Sequence, residues 1–364
     1  PRIGWKKVAG KRAKCVRGTD EKNLRAVGEQ HPLLMRLTDA ILTYKEQQKA
    51  IGTYFDYELI NGRLHWNLNP FGTETNRFSC NSSSWWCGTQ VQNIPPYAKG
   101  MLIADEGFEL IEADQSQSDA RGTAYLSQDL ALIAALETKD KDFYTSLGTL
   151  FFGIPYDLVS KDFRNAVLKR IVHGTNFMMG AATFVENAGV ANLLTGATTL
   201  NIKISMSVKP EAGSVSIKAF GGVLLEAYHK PFFRVREWYS EVKAEIRTTK
   251  MLKSPSGHVR YFFGDIDKKY QIFSSAVAHG PQHLTGAILN IGFKKIWKLQ
   301  KEKPTQIRMK AQIHDSFLGQ RKATITVEDI LSRMRNPIVI HRRTLLVPIT
   351  YKLGSNWADM KEYK

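Results

Sequence analysis

The sequence predicts an α+β protein. Segments with the 3.6-residue periodicity of helices alternate with short apolar segments typical of strands. The longest helical pattern runs from about Tyr270 to Lys301, and the clearest strand patterns lie at Phe108 to Asp114 and Thr344 to Leu353. A chain of 364 residues corresponds to two or three lobes at roughly 150 residues per domain.

The first half of the chain contains four predicted regions. A helical N-terminal piece, with Thr19 or Asp20 as its N-cap, precedes a hairpin around the Asn61-Gly62 turn signal. A buried strand then leads into a long helical stretch, and a proline-free segment follows that is long enough for one or two helices. These regions are predicted at 20–50, 54–69, 108–137 and 161–187.

The second half begins with a predicted hairpin. Alternating apolar residues over 199–220 flank a Lys-Pro-Glu-Ala-Gly turn, which indicates two antiparallel strands. Helical periodicity then returns, and the end of the chain is strand-like with one more helix. The remaining predicted helices span 222–248, 270–301 and 327–334, and the strands span 310–320 and 344–353.

The charge balance points to a polyanionic partner. Lysine plus arginine total 51 against 34 aspartate plus glutamate, which gives a net charge of +17; such an excess favours nucleic acid or an anionic lipid surface. No apolar run reaches the roughly 18 to 20 residues of a membrane span, so we expect no membrane association. Three cysteines without zinc-type spacing fit a reducing compartment, and we expect a cytoplasmic location.

Two aspartates stand out because each follows an apolar strand pattern. Asp114 ends the strand pattern that begins at Phe108. Asp315 lies within the strand pattern at 310–320, in the sequence Gln-Ile-His-Asp-Ser-Phe. A carboxylate leaving a buried strand is costly unless a cation compensates it. On neighbouring strands the two would offer oxygen ligands suited to magnesium. Asp114 taken alone fits a helix-capping aspartate equally well.

A third signal is a helix face that combines a cation, an imidazole and an aromatic ring. Lys169, His173 and Phe177 are spaced i, i+4 and i+8, so they share one face of a helix. That stripe suits a triphosphate at one end and a base to stack on at the other. An amphipathic helix with a snorkelling lysine explains this stretch as well when it is considered alone.

Together, in this order, the three motifs resemble those of the DNA polymerase I family, family A. The family's first motif, D-Y-S-Q-I-E-L-R, is matched by Asp114 to Arg121, and its third, V-H-D-E, by Ile313 to Ser316. Its helix motif, K-x3-F/Y-G-x2-Y, is matched from Lys169 to Phe177, where the His-Gly-Thr-Asn-Phe sequence resembles phage-encoded members. Further similar segments are TNRFS (75–79), QVQNIPP (90–96), SPSGHVRYFF (254–263) and GSNW (354–357).

The sequence also departs from the family pattern. Arg164 precedes Lys169 by five residues where the family has four, which in an α-helix puts it about 140° away from Lys169. Ser316 replaces the glutamate of the third motif, and Asp119 replaces the glutamate of the first. Residues 182–220 resemble an insertion. The stretch from Arg77 to Gln92 is six residues longer than in the family and contains Trp85 and Trp86, which would either stack on a base or pack under the loop.

The resemblance implies a right-hand polymerase fold: a palm with an antiparallel sheet, helical fingers and a partial helical thumb. The partial thumb is expected at 1–60, and the first part of the palm, with Asp114, at 61–140. The fingers, including the inserted hairpin, are expected at 141–260, and the second part of the palm, with Asp315, at 261–364.

The resemblance further implies a template-directed DNA polymerase that adds dNTPs to a primer 3'-hydroxyl with two Mg2+ ions. Asp114, Asp315 and the backbone carbonyl of Gln115 would bind the metals, and Lys169 would neutralise and protonate the leaving pyrophosphate. The implied nucleotide-binding residues are Lys169, His173, Phe177, Asp119, Gln117 and Arg164. The implied DNA-binding residues are Arg77, Gln92, Asn93, Arg121, Gln282 and His314.

The expected partners are primer-template DNA and dNTPs. The family's exonuclease domains and much of its thumb would lie upstream or on a separate subunit, so no proofreading is expected from this chain. Two other functions stay open. A single-subunit RNA polymerase shares the two aspartates, although Asp119 and the closing GSNW disfavour it, and a catalytically inactive DNA-binding relative would fit the losses at Ser316 and Phe177.

Overall fold

The computed structural model describes residues 19–55, 59–81, 89–138, 140–205 and 210–363. Helices and strands are both abundant among them, which confirms the α+β prediction. The chain divides into two compact units: Pro1–Asn67 with Asn81–Ile94, and Leu68–Cys80 with Pro95–Lys364. Trp85 and Trp86, singled out in the sequence, lie outside the described residues.

The first unit is helical, as predicted for residues 20–50. Helix α1 (Glu21–Gln30) and helix α2 (Met35–Ala50) are joined by a short 3-10 turn, and a π-helical turn, Ile51–Phe55, continues α2. Of the two candidate caps, Asp20 is the one used, because its carboxylate accepts a hydrogen bond from the backbone N–H of Asn23 (3.0 Å).

The predicted hairpin in this unit is only partly present. Asn61 and Gly62 both have left-handed φ values, 52° and 69°, as the two central residues of a type I′ turn require. Ile60 and Arg63 exchange two backbone hydrogen bonds across this turn. The pairing does not extend back to Tyr54, because Tyr54 belongs to the π-helical turn and donates its hydroxyl to the carbonyl of Asn93 (2.8 Å).

The second unit contains most of the secondary structure. Its helices are α3 (Ser118–Ser127), α4 (Leu130–Glu137), α5 (Phe143–Phe152), α6 (Lys161–Phe163), α7 (Lys169–Asn176), α8 (Ala181–Ala188), α9 (Val190–Thr199), α10 (Ile217–His229), α11 (Phe233–Thr249), α12 (Tyr270–Glu302) and α13 (Val327–Met334). Its strands, the first two at the junction with the other unit, are β1 (Asn67–Asn69), β2 (Ser79–Asn81), β3 (Glu109–Gln115), β4 (Ile204–Ser205), β5 (Val215–Ser216), β6 (Met251–Lys253), β7 (Val259–Tyr261), β8 (Ile307–Ile313), β9 (Ser316–Arg321), β10 (Ile338–Ile340), β11 (Arg343–Leu345), β12 (Ile349–Gly354) and β13 (Lys361–Tyr363).

A five-stranded antiparallel sheet forms the framework of the second unit. Its strand order is β13-β12-β3-β9-β8, so β3 is the central strand. In the register between β3 and β9, Ala113 pairs with Phe317 and Asp114 pairs with Ser316. The end of β3 therefore lies beside the start of β9, although the two strands are distant in sequence.

One face of this sheet is covered by helices, and the other carries polar side chains. Ile111, Ala113 and Phe317 are fully buried and pack with apolar residues of α12 and α13. Because successive side chains of a strand point to opposite faces, Glu112 and Asp114 lie on the other face. The apolar face fixes the register, since a slip of one residue would bury Asp114 instead.

The hairpin predicted for 199–220 is wrong. Strands β4 and β5 contact each other over two residue pairs, and they run parallel. Strand β5 ends at once because Ser216 caps α10, its hydroxyl accepting from the N–H of Ala219 (3.2 Å). Alternation of apolar and polar residues gives the period of a strand but not the direction of its partner. Residues 206–209 of this segment lie outside the described residues.

Two predicted helices are close to those observed, whereas the helix predicted for 222–248 is two helices, α10 and α11, and the strand predicted for 344–353 is two strands, β11 and β12. The helix predicted for 327–334 is α13, and the one predicted for 270–301 is α12. The helical stretch after β3 is divided at Gln128, which adopts a left-handed conformation, and restarts where Asp129 caps α4. No helix in the described part of the chain is long and apolar enough to cross a membrane.

Candidate functional site

Asp114 and Asp315 lie next to each other at one end of the sheet. Asp114 is opposite Ser316 in the register, and the backbone N–H of Gln115 donates to the carbonyl of Asp315 (3.3 Å). The predicted strand over 310–320 is in fact a hairpin, and Asp315 sits in its two-residue turn. Its neighbour His314 takes the left-handed conformation that the turn requires (φ 52°).

Burial and neighbouring negative charges raise the pKa of both carboxylates. Burial, together with the negative charges of Asp315 and Glu112, raises the pKa of Asp114 to about 6, while Lys352 and Lys169 act in the opposite direction. The side chain remains accessible to water, so it lies in a cleft whose walls exclude much of the solvent. Burial and the charge of Asp119 likewise raise the pKa of Asp315.

Arg77 joins Asp315 to Asp119. One guanidinium nitrogen, Nη2, is 2.8 Å from Oδ1 of each carboxylate. Asp119 also accepts a hydrogen bond from the Thr285 hydroxyl (3.0 Å). The segment that carries Arg77 approaches α12 at Gly286, where a Cβ atom would come within 2.9 Å of a backbone oxygen. The glycine is needed there for this close approach.

The residues at the end of β3 fit a divalent cation. Among the described residues, no side chain donates a hydrogen bond to the Asp114 carboxylate. Asp315 accepts a hydrogen bond from the Ser118 hydroxyl on Oδ2 (3.2 Å), whereas its buried Oδ1 has an ion pair with Arg77 but no hydrogen bond among the described residues. Carboxylate and carbonyl oxygens are the ligands of hard cations, and a cation would relieve the repulsion that raises both pKa values.

The extra residue before Lys169 is absorbed by a π-helical turn. Residues Arg164–Leu168 form this turn, and the N–H of Lys169 donates to the carbonyl of Arg164, an i+5 bond. Residues i and i+5 of a π turn stack as i and i+4 do in an α-helix. The expected displacement of about 140° between Arg164 and Lys169 is therefore wrong, because it assumed α-helical geometry throughout.

The guanidinium of Arg164 is held by the start of helix α5. Its Nε and Nη2 donate to the two carboxylate oxygens of Asp142 (2.6 and 2.7 Å). Asp142 also caps α5 by accepting from the N–H of Thr145 (2.9 Å). These bonds lower the pKa of Asp142 against the effect of burial. The guanidinium also lies over the ring of Tyr144, 5.1 Å from its centroid.

The predicted stripe on α7 is present. Lys169 is exposed, and its charge lowers the pKa of Asp114. One turn on, burial and the charge of Lys169 lower the pKa of His173. The His173 ring lies between Phe177 and the buried Tyr144, with centroids 6.4 and 6.2 Å away. No sequence motif marked Tyr144; only the packing of α5 against α7 reveals it.

Arg121 does not have the open position that a DNA-binding role needs. Its side chain is buried, and it donates to the carbonyls of Ser116 (3.2 Å) and Leu136 (2.7 Å). Both ends of the guanidinium are thus used to tie the start of α3 to the end of α4. The prediction that Arg121 contacts DNA is therefore wrong, because this side chain is buried and stabilises the fold around Asp114.

The remaining predicted residues occupy varied positions. Gln117 is half-buried at the left-handed position before α3 (φ 55°). Gln282 is half-buried on α12, and His314 is exposed in the turn beside Asp315. Gln92 and Asn93 lie in a 3-10 turn of the first unit, where the Asn93 amide donates to Gln90 (2.8 Å). Their functional roles stay predictions.

Glu112 is a site residue that the motif comparison missed. Its Oε1 accepts a hydrogen bond from the Ser316 hydroxyl (3.1 Å), and its Oε2 accepts one from the indole N–H of Trp357 (3.0 Å). It lies on the same face of β3 as Asp114, two residues away. That spacing was a signal available in the sequence, but the partner strand that carries Ser316 was needed to interpret it.

Comparison with known proteins identifies the family. A family model described as DNA polymerase family A matches residues 3–359, and the chain belongs to this family. It is 25% identical to the thermostable DNA polymerase I of Thermus aquaticus over 380 aligned residues, covering 100% of the chain but 40% of that relative. It is 26% identical to the DNA polymerase I of Helicobacter pylori over 359, covering 94% and 36%.

The fold comparison agrees. The polymerase domain of Pol1 from M. smegmatis, solved in complex with DNA primer-template and dNTP, matches with a TM-score of 0.68 and 20% identity, over 93% of this chain and 56% of that chain. The predicted α+β polymerase fold with an antiparallel palm sheet is confirmed. The chain spans about 40% of the length of the first curated relative. Members of this family generally use divalent metal ions.

Proposed function

We propose that this chain is the catalytic part of a template-directed DNA polymerase, which adds dNTPs to the 3'-hydroxyl of a primer. The observation that carries the proposal is the juxtaposition of Asp114 and Asp315 across the β3–β9 pair, within the electrostatic reach of Lys169 on α7. Carboxylates on one side and a cation on the other suit phosphoryl transfer, whose catalysis is mainly positioning and charge stabilisation.

Two Mg2+ ions would be held by Asp114, Asp315 and the backbone carbonyl of Gln115. When bound, they would activate the primer hydroxyl and offset the charge of the leaving pyrophosphate. The oxygen-only ligand set supports magnesium, and the number of ions is what the resemblance to the family implies. Arg77 shares Asp315 with this site, so its guanidinium would compensate that carboxylate until a metal does.

The exposed face of α7 would bind the incoming nucleotide. Lys169 would contact the triphosphate and give a proton to the leaving group, while His173 and Phe177 would line the base pocket. Burial keeps His173 neutral by lowering its pKa, so its ring contributes stacking and not charge. Arg164 is on the same side of the helix through the π turn, and it could reach a phosphate only by leaving Asp142.

Asp119 would select the sugar. Its carboxylate is fixed by two partners, Arg77 and Thr285. Both partners contact Oδ1 and hold the side chain in place, so it would crowd a 2'-hydroxyl on the incoming nucleotide and favour dNTPs over rNTPs.

Glu112 would supply a third carboxylate to the metal site. In the family's third motif the residue at position 316 is glutamate, whereas here it is Ser316. The Ser316 hydroxyl binds Glu112, and Trp357 holds the other oxygen of that carboxylate. The acidic group therefore stays beside the two aspartates, although it is carried by β3 and not by β9.

The net charge of +17 would supply most of the affinity for primer-template DNA through phosphate contacts. Arg77, Gln92, Asn93, Gln282 and His314 are the residues proposed to follow the primer and its minor groove. An exonuclease and further thumb residues, on an upstream segment or a separate subunit, are proposed as partners of this chain. A phage origin and a cytoplasmic location stay predictions from the sequence.

Primer extension on a primed DNA template tests the proposal. Wild type, Asp114→Asn and Asp315→Asn would be compared with dNTPs and with rNTPs in the presence of Mg2+, and DNA affinity would be measured separately. We expect dNTP incorporation that both substitutions abolish without loss of DNA binding. Preferred use of rNTPs would indicate an RNA polymerase, and tight DNA binding without any incorporation would indicate an inactive binding protein.

A further inference from the structure

Three histidines come together away from the carboxylate site. His279 and His283 are one turn apart on α12, and His258 directly precedes β7 in the turn that leads from β6. One ring nitrogen from each lies within 4.8 Å of the others. Residues four apart share a helix face, so two rings from the helix meet a third from the hairpin.

The ring nitrogens of this cluster are largely without protein partners. His279 and His283 are each 1% exposed. Within the described part of the chain, neither nitrogen of His279 nor Nδ1 of His283 has a partner with good hydrogen-bond geometry. A backbone interaction with Thr75 acts on the His283 ring and raises its pKa against the effect of burial. A buried polar group left unpaired is destabilising. Each neutral ring has one lone pair and one N–H, so His279 and His283 can each offer one nitrogen to a ligand that accepts lone pairs.

The remaining nitrogen of the two buried rings, His283 Nε2, has a hydrogen-bond partner, as one nitrogen of a metal-binding histidine commonly does. His283 Nε2 lies 2.7 Å from the hydroxyl of Ser256, which in turn lies 2.7 Å from the hydroxyl of Ser254. When Nε2 carries the proton and donates it to Ser256, the lone pair is on Nδ1, the nitrogen without a partner of good hydrogen-bond geometry. Histidine ligands are commonly oriented by such a second hydrogen bond.

The charges around the cluster are compatible with a cation. Burial lowers the pKa of His279 to about 3 and that of His283 to about 4, so both rings are neutral near pH 7, as metal ligands must be. The charge of Arg260 also lowers the pKa of His279, but its guanidinium is paired with Glu74. The nearby positive charge is therefore partly balanced.

We propose that His258, His279 and His283 form a binding site for a transition metal ion of the zinc class. Three imidazoles and one water complete a tetrahedral shell, and imidazole favours Zn2+, Co2+, Ni2+ and Cu2+ over the magnesium of the carboxylate site. Metal–nitrogen distances of about 2.0–2.1 Å put the ligand nitrogens about 3.3 Å apart. Rotation of the rings would close the remaining separation.

The metal would have a structural role. The hairpin of β6 and β7 contributes one ligand and α12 contributes two, so the ion would tie the turn before β7 to the long helix. The competing explanation is a dry stack of neutral rings, since the His258 and His283 rings are nearly parallel with centroids 4.4 Å apart. The proposal does not depend on the polymerase function.

Cobalt binding tests the site. The purified full chain would be stripped with a chelator and titrated with Co2+, with stoichiometry measured by elemental analysis and geometry by visible absorption. The variants are His258→Gln and His279→Gln, with His31→Gln as an exposed-histidine control and Asp114→Asn/Asp315→Asn as a control for the carboxylates. We expect one equivalent of tetrahedral Co2+ in the wild type and both controls, and at least a hundredfold weaker binding in the two cluster variants.

Circular dichroism of each metal-free variant shows whether it is folded. His258 is only half-buried in a turn, so His258→Gln decides the question if His279→Gln fails to fold. Absence of tetrahedral Co2+ from the wild type would overturn the proposal. Unchanged tetrahedral binding in a folded His258→Gln variant would overturn it too. In either case the three rings form a stack without a metal.

Discussion

Ser316 and Glu112 are joined by a hydrogen bond across neighbouring strands, with Ser316 Oγ 3.1 Å from Glu112 Oε1. Ser316 is directly opposite Asp114 in the register, and Glu112 precedes Asp114 by two residues on the same face of the sheet. Strand β9 has Ser316 where the family's third motif has glutamate, and the neighbouring strand β3 provides the carboxylate of Glu112 beside it. The two side chains are therefore neighbours on adjacent strands.

The first prediction concerns this pair. Glu112→Ser should weaken Mn2+ binding at least about ten- to hundredfold, because it removes the third carboxylate of the proposed site, and that range is the effect of removing a group that only supports metal ligands. Binding is measured by electron paramagnetic resonance without DNA or nucleotide, and kcat is measured separately by primer extension. The exchanged variant, Glu112→Ser with Ser316→Glu, should recover most of both losses.

Trp357→Phe is the matched control, since it removes one donor to Glu112 and keeps the aromatic ring. It should weaken Mn2+ binding less than Glu112→Ser does. If the exchanged variant is folded but binds Mn2+ no better than Glu112→Ser, the carboxylate does not act from a shared position, and Glu112 has only a structural role.

The second prediction concerns the pH dependence of stability. Folding raises the pKa of Asp114 from 3.8 to about 6, so ionised Asp114 opposes folding above pH 6 and this penalty fades as the pH falls. Asp114→Asn should be more stable than wild type at pH 7.5. Because the carboxylate is open to solvent, the expected gain is about 1–2 kcal/mol, below the roughly 3 kcal/mol of an unscreened two-unit shift.

Urea unfolding of both proteins, followed by tryptophan fluorescence in a chelating buffer, gives this difference. The difference in unfolding free energy at pH 5 should be about half of its value at pH 7.5. Mg2+ should then stabilise the wild type more than Asp114→Asn at pH 7.5. A difference that is the same at pH 5 and pH 7.5 would show that Asp114 does not titrate as the site electrostatics require.

The third prediction separates the two roles of Asp142, which caps α5 and pairs with Arg164. Asp142→Asn keeps an oxygen for the cap and loses the charge, so it should cost less than about 1 kcal/mol of unfolding free energy. Asp142→Ala loses both and should cost about 1–2 kcal/mol. Equal losses in the two variants, measured by urea unfolding, would mean that the cap contributes nothing.

The fourth prediction concerns sugar selection by Asp119. Asp119→Ala should raise rNTP use relative to dNTP use roughly ten- to hundredfold, measured as the ratio of kcat/KM values, because the space beside the 2' position opens. Thr285→Val removes one hydrogen bond to Asp119 and leaves its bulk, so it should change the ratio far less. An unchanged ratio in Asp119→Ala would place the selection elsewhere.

Local patterns in the sequence were enough for most elements and for the identity of the motifs. The strand ending at Asp114, the helix α12 and the face shared by Lys169 and His173 all depend on residues close together in the chain. Periodicity and capping act over one or two turns, so a single sequence carries them. The residue types of the motifs were sufficient to indicate a family, which the comparison then confirmed.

The tertiary structure decided what depends on distant parts of the chain. It showed the π turn that restores Arg164 to the side of Lys169, the parallel pairing of β4 with β5, and the burial of Arg121. It also brought Glu112 to Ser316 and gathered His258 with two histidines of α12. Contacts of this kind depend on sheet register and helix packing, which no local period encodes. The sequence by itself determined the chemistry available to this protein, and the fold determined which groups act together.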